Sequence, residues 1–239
     1  MSNSLVHMPS GDSAIIIKTG NEISEAQNKL VRKLLYGIER EKIHGIIDFI
    51  PAYNELMICY DPLEIPFRRL LDTLHAIENK LDDIQLPESE VIRVPVLYGG
   101  KAGPDLNEVA EKNRLTPEKV IEIHTSAGYL VYMLGFTPGF CYLGGMNERI
   151  ATPRKAEPRL KIPAGSVGIA GKQTGIYPID SPGGWQLIGK TPLRLFDTSR
   201  DPAFLFSPGD IIRFYAINEE EYSRMCQLSE KGFSINENR

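Results

Sequence analysis

Between Leu134 and Pro192 the chain reads L-G-F-T-P-G-F-C-Y-L-G-G (134–145), P-R-K-A-E-P-R (153–159), I-P-A-G-S-V-G-I-A-G-K-Q-T-G-I-Y-P (162–178) and S-P-G-G-W-Q-L-I-G-K-T-P (181–192). Glycines and prolines alternate here with aromatic, β-branched and basic residues. Glycine reaches positive φ and proline fixes φ near −65°, so the pattern predicts short strands joined by tight, specified turns. A packed core alone has little use for so many special backbone positions. Turns of this kind shape concave surfaces, and the aromatic and basic side chains among them become candidates to line one.

Outward from this stretch the β signal continues. Tyr129–Gly135, Val167–Ala170, Trp185–Ile188, Leu193–Phe196 and Ile211–Ile217 read as strands, a spacing that favours a barrel or sandwich. Asn218 with Glu219, Glu220 and Glu221 caps a last helix. Upstream, Asp105–Leu115 and Thr116–Ser126 read as short helices, the second with Thr116 as N-cap and Pro117 in the first turn. The first ninety residues read differently. Ser13–Lys18 is a strand, and Ser24-Glu25-Ala26-Gln27 is a capping box opening a helix with Val31, Leu34, Leu35 and Ile38 on one face. Ile43–Ile50 and Glu55–Tyr60 form a hairpin about Pro51–Asn54, and a helix follows with Phe67, Leu70, Leu71, Leu74 and Ile77 on one side. The order β-α-β-β-α, closed by Val91–Leu97, suggests a ferredoxin-like unit, with a boundary near Pro87–Glu90. The expectation is an α+β protein with domains at residues 1–90 and 91–239.

Composition narrows the function classes. With 42% hydrophobic and 24% charged residues the chain is an ordinary globular sequence, and its net charge of −4 argues against nucleic-acid binding. Residues 1–90 carry 9 Lys/Arg against 15 Asp/Glu and the remainder 18 against 16, so an anionic ligand would prefer the second half. No apolar run reaches the length of a membrane span, and no signal peptide is visible, which makes a cytoplasmic location the expectation. Three widely spaced cysteines point to free thiols, and the absence of C-x-x-C or H-x-x-x-H spacing argues against a zinc site.

Gly184–Thr191 fits G-x-x-x-x-G-K-[ST], yet a turn precedes it, Trp-Gln-Leu-Ile alternates like a strand, and Pro192 follows. A phosphate-cradling loop needs a buried strand before it and a helix after it, so this match is a decoy. In the basic cluster Arg149, Arg154, Lys155, Arg159 and Lys161, opposed by Glu148 and Glu157, Arg154 and Arg159 each adjoin a proline that restricts the backbone. Either could clamp a carboxylate or phosphate; a solvated proline-rich loop is the plain alternative. His124 shares a helix face with Val120 and Ile121 and could be a general base or a core histidine bonded to its surroundings. Cys141 reads as a small buried hydrophobe, since no activating base is evident. Phe136, Phe140, Tyr142, Tyr177 and Trp185 are flanked by Gly or Pro, with Ser166, Gln173 and Thr174 in neighbouring turns, the mixed lining of a ligand pocket.

Together with G-D-S-A (11–14), I-P-A-Y-N-E-L-M-I-C-Y-D-P (50–62) and V-P-V-L-Y-G-G-K-A-G-P-D-L (94–106), nearly everything from His124 to Phe214 resembles the allophanate hydrolase subunit 1 family. That family includes the B subunit of bacterial ATP-dependent 5-oxoprolinase and an inhibitor of a sporulation sensor kinase. Where this chain has Lys190, the family commonly has Arg. The resemblance implies a ferredoxin-like N-terminal domain followed by a cyclophilin-like β-barrel. It implies action with A and C subunits to open 5-oxo-L-proline to L-glutamate at the expense of ATP, with Mg2+. His124, Arg154 and Arg159 would then be catalytic. Phe136, Phe140, Tyr142, Tyr177 and Trp185 would cover the ring, and Ser166 and Gln173 would bond the lactam edge. The alternatives are a non-enzymatic inhibitor of a sensor histidine kinase and a carboxyltransferase-like subunit of a urea- or allophanate-processing enzyme. No M-K-M motif is present, so the chain would not carry biotin itself.

Overall fold

The computed structural model describes residues 5–230, with side chains described as far as residue 228. The chain divides into two compact units at Glu88/Ser89. Among the described residues no helix is long and apolar enough to cross a membrane.

The first unit is an antiparallel sheet of β1 (Val6–Ser10), β2 (Ala14–Lys18), β3 (Ile46–Pro51) and β4 (Glu55–Tyr60) in the order β1-β2-β4-β3, with helices α1 (Glu25–Glu41) and α2 (Phe67–Glu78). Alternation places Ile15, Ile17, Leu56 and Ile58 on one buried face, where they meet Val31, Leu34 and Ile38 of α1 and Leu70 and Leu74 of α2. Ser24 accepts a hydrogen bond from the Gln27 amide at 3.3 Å, as an N-cap does. Lys42 ends α1 in the left-handed region, at φ 48°.

One expectation is corrected here. Val91–Leu97 does not close this sheet; β5 (Val91–Tyr98) belongs to the second unit, where it pairs in parallel with β13 (Ile211–Ala216). Its Val94 and Val96 are fully buried there. The open edge is taken instead by β1, a five-residue strand whose apolar Val6 and Met8 stay exposed and whose Pro9 cannot donate a ladder hydrogen bond, so nothing in V-H-M-P-S marks a core strand.

The second unit is built on seven strands in the order β10-β9-β12-β5-β13-β6-β7. Besides β5 and β13 these are β6 (Tyr129–Leu134), β7 (Cys141–Gly144), β9 (Ser166–Ala170), β10 (Gln173–Ile176) and β12 (Gln186–Lys190). The sheet curls until β7 and β10 lie side by side, nearly closing a barrel around Tyr129, Val131, Leu143, Ile169, Ile188 and Phe214. A separate ladder joins β8 (Arg159–Ile162) and β11 (Ser181–Gly183). Helices α3 (Leu106–Lys112) and α4 (Pro117–Ser126) follow β5. A reciprocal capping box of Asn218 and Glu221, at 2.8 and 2.9 Å, opens α5 (Glu219–Glu230).

A second correction concerns Leu193–Phe196, which is not a regular strand. Only Phe196 forms a bridge, to Phe204. Pro192 has no amide to donate, and Arg200 occupies the carbonyls of Arg194 and Leu195 from the side at 3.3 and 3.4 Å. The P-loop decoy resolves as the sequence context indicates: its Gln186–Lys190 is β12, hydrogen-bonded on both sides to β9 and β5.

Candidate functional site

The turn Gly135–Phe140 leads from β6 into β7 and is closed by hydrogen bonds from the Gly135 amide to Phe140 O and from the Phe140 amide to Thr137 O, both 3.0 Å. It requires positive φ at Gly139 (82°) and also at Phe136 (65°). For Phe136, with its Cβ, that conformation costs on the order of 1–2 kcal/mol. The outcome is a phenyl ring held in solvent, 69% exposed, edge-on to Phe140 at 5.7 Å. Strain of this sort collects where structure serves a site.

Behind Phe136 lies an aromatic wall. Phe140 meets Tyr142, Trp185 and Tyr177 edge-to-face, with centroids 5.0, 5.6 and 5.9 Å apart. Each geometry sets a positive ring edge against a negative face. These rings, Arg154 and the backbone of Gly183 and Gly184 enclose a cleft of about 160 Å³. Glycine is required at 183, because a Cβ there would collide with the Tyr177 hydroxyl. Gly183→Ala is therefore expected to push Tyr177 into the cleft and lower the affinity for any ring bound there, which equilibrium binding would show as a higher Kd at nearly unchanged fold.

Arg154 reaches the cleft because the next residue is stapled to it: the Lys155 amide donates to Gly184 O at 2.7 Å. Arg154 is exposed and makes no ion pair among the described residues. Burial raises the Tyr177 phenol above its ordinary pKa, while the Arg154 and Arg159 charges pull the other way. The cleft thus sits in positive potential with one guanidinium free to act.

Arg159 has a different place. Its Nη2 donates to the buried carboxylate of Asp105 at 2.7 Å, and its Nη1 donates to Trp185 O at 3.4 Å. Asp105 Oδ1 also receives Lys155 at 3.2 Å, and Oδ2 receives the Leu187 amide at 2.7 Å. Glu108 takes Lys112 and Lys155, whose hydrogen bonds hold its carboxyl down at about 2. This network fastens β12 and the basic loop behind the aromatic wall. Sequence reading missed Asp105 and Glu108, which lie about fifty residues from the arginine and lysine they serve; the one available signal was P-D-L at the end of a family string.

Of the predicted site residues, the structure therefore gathers Phe136, Phe140, Tyr142, Tyr177, Trp185 and Arg154 at one cleft and puts Arg159 directly behind it. It does not bring the other three there. Ser166 is buried and donates to Pro163 O at 2.7 Å inside its own turn, and Gln173 opens β10 opposite Ala170. His124 is completely buried between Tyr98, which donates to Nδ1 at 2.7 Å, and Thr174 at 2.9 Å from Nε2. The Thr174 hydroxyl donates onward to Gly168 O at 3.0 Å, so it must accept from His124, which fixes the Nε2–H tautomer. The imidazole stacks on Phe214 at 4.5 Å, and burial pushes its pKa down to about 3. Cys141 is likewise sealed, its thiol pushed up to about 12 by burial.

A histidine depressed in the fold contributes stability that is complete above its unfolded pKa, near 6.5, and erodes as pH falls toward 3. The cost is about 1.4 kcal/mol per pH unit, so on the order of 2 kcal/mol goes between pH 6.5 and 5. Denaturant titrations at pH 7 and pH 5 should show this loss in the native chain. In His124→Gln, less stable at pH 7, the difference between the two pH values should shrink by that amount.

Fold and site define a two-unit α+β protein whose β-rich unit carries a small aromatic cleft with a free arginine. The chain belongs to the carboxyltransferase-domain family, subdomains C and D, which it matches over residues 6–206. It is 48% identical over 223 residues to the 5-oxoprolinase B subunit of Bacillus subtilis, a match covering 89% of this chain and 92% of that one. It also resembles the crystal structure of TTHA0988, with a TM-score of 0.76 and 37% identity over 86% of this chain and only 40% of the longer one. Urea amidolyase of Lachancea kluyveri is 27% identical over 266 residues, which take in 97% of this chain and 14% of that protein.

Proposed function

We propose that this chain is the B subunit of an ATP-dependent 5-oxoprolinase, working with A and C subunits in the cytoplasm to open 5-oxo-L-proline to L-glutamate. One observation carries the reading: Arg154, without an ion pair among the described residues, stands over an aromatic cleft of about 160 Å³, in a chain 48% identical to a 5-oxoprolinase B subunit. The volume lies below the 300 Å³ or so at which drug-sized sites begin, and suits a five-membered ring better than a nucleotide. Aromatic edges and faces cover the methylenes of such a ring, and Arg154 pairs with its carboxylate.

A lactam is an amide held by resonance, and water attacks it poorly. Transfer of the ATP γ-phosphoryl group to the lactam oxygen removes that resonance. Water then adds to the carbon, the ring C–N bond breaks, and glutamate, ADP and phosphate result. The residues of this cleft do not fit a triphosphate, and the P-loop-like stretch runs as strand β12 over Gln186–Lys190, so ATP and Mg2+ belong to a site completed by the partners. The longer TTHA0988 chain, in which a segment like this one makes up 40%, supports a protein that works joined to further domains. The same reading takes the first unit as ferredoxin-like, its outer strand replaced by β1, and the second as cyclophilin-like.

The test is ATP-dependent glutamate release from 5-oxoproline by this chain purified with both partner subunits. No release from the complete set, alongside submicromolar inhibition of a sensor histidine kinase, would replace the enzyme reading with the kinase-inhibitor one.

A further inference from the structure

His7 lies on β1 at the open edge of the first unit's sheet, and His75 and Glu78 lie one turn apart on α2, where i and i+3 side chains share a face. Folding brings the three together: a ligand atom from each lies within 4.8 Å of the others. His7 Nε2 is 2.5 Å from Glu78 Oε1, and the His7 and His75 rings meet edge-on at 4.8 Å. We propose that His7, His75 and Glu78 bind a divalent transition-metal ion of the Zn2+ type.

The donor chemistry selects the ion. Two imidazoles and one carboxylate suit Zn2+ and its neighbours and leave a further position for water, whereas Mg2+ and Ca2+ favour oxygen ligands throughout. Ligand distances of about 2.0–2.2 Å in a tetrahedron place donor atoms roughly 3.4 Å apart, so the cluster has to draw His75 inward and let Glu78 step back from His7. His75 is free to make that move, being exposed, with no side-chain hydrogen bond among the described residues. The other histidines lack such a set. Among the described residues His44 pairs with Glu64 alone, at 2.8 Å on the open surface, and His124 spends both nitrogens inside the barrel.

Sequence spacing gave no metal site because the ligands come from elements 68 residues apart and the helical pair is His-x-x-Glu. The bound ion would fasten β1, the edge strand, to the helix packed behind it. An edge strand held in this way keeps its place and its pairing.

The full-length chain, stripped of metal and titrated with ZnCl2 by calorimetry at neutral pH, should bind one Zn2+ per chain. His75→Ala and Glu78→Gln should each weaken binding by about tenfold or more, and His44→Ala should leave it unchanged. Millimolar Mg2+ should not compete, and excess Zn2+ should raise the thermal midpoint. Absence of saturable binding would overturn the proposal, leaving a hydrogen-bonded His–Glu pair. So would binding that survives His75→Ala, or that disappears in His44→Ala. Because His75 is exposed, its replacement is expected to keep the fold, and a circular dichroism melt checks that directly.

Discussion

Arg154→Ala is expected to raise the KM for 5-oxoproline by about 10- to 100-fold in the assembled enzyme, the loss of a charge-assisted hydrogen bond worth roughly 1.5–3 kcal/mol. The side chain is exposed and makes no ion pair among the described residues, so the thermal midpoint should stay within a degree or two. That combination separates a binding role from a structural one. Arg154→Lys keeps the charge but not the two-pronged geometry, and should recover only part of the affinity. If Arg154 holds the substrate equally in ground and transition states, KM carries the loss and kcat changes little. Steady-state kinetics at saturating ATP resolve the two. An unchanged KM in Arg154→Ala would remove the arginine from the proposed site.

Asp105→Ala is the second large effect, and it runs through stability. The carboxylate is 4% exposed, receives Arg159 and Lys155, and accepts the Leu187 amide on β12. Its removal strands Arg159 and the buried Leu187 amide, while Lys155 keeps Glu108 at 2.9 Å, a loss on the order of 3 kcal/mol. Asp105→Asn keeps an acceptor for the Leu187 amide and should lie between the two. Urea titration measures the ranking directly, native above Asn above Ala. Activity should fall with it, because Arg159 also donates to Trp185 O and so ties the aromatic wall to Asp105. A native-like midpoint in Asp105→Ala would show that the network contributes nothing to holding the cleft.

These two residues also show what could be read in advance. Arg154 was legible because its signal is local: a basic residue beside a proline, within a turn-rich stretch of aromatics. Asp105 was not, because a lone carboxylate before a short helix looks like any helix-start residue until β12 and the basic loop are seen against it. The same division runs through the fold. Helices α1 and α2 were plain from caps and one-sided apolar faces, and the decoy P-loop could be rejected from the turn before it and the proline after it. Strand β1 was invisible because edge strands need no alternating core face. Val91–Leu97 was a correct strand assigned to the wrong sheet, since an apolar run states that it will be buried but not against which partner.

The sequence by itself determined the local things: where the chain turns, which helix faces are apolar, that the glycine- and proline-rich stretch builds a surface from aromatics and arginine, and the family. These follow from φ restrictions and hydrophobic periodicity, which act over a few residues. Tertiary structure alone decided the company each side chain keeps. It sealed His124 between Tyr98 and Thr174, separated Arg159 from Arg154 by giving it Asp105, and brought His7 to His75 and Glu78. Charge, burial and coordination depend on distances between elements far apart in sequence, and those distances exist only once the chain has folded.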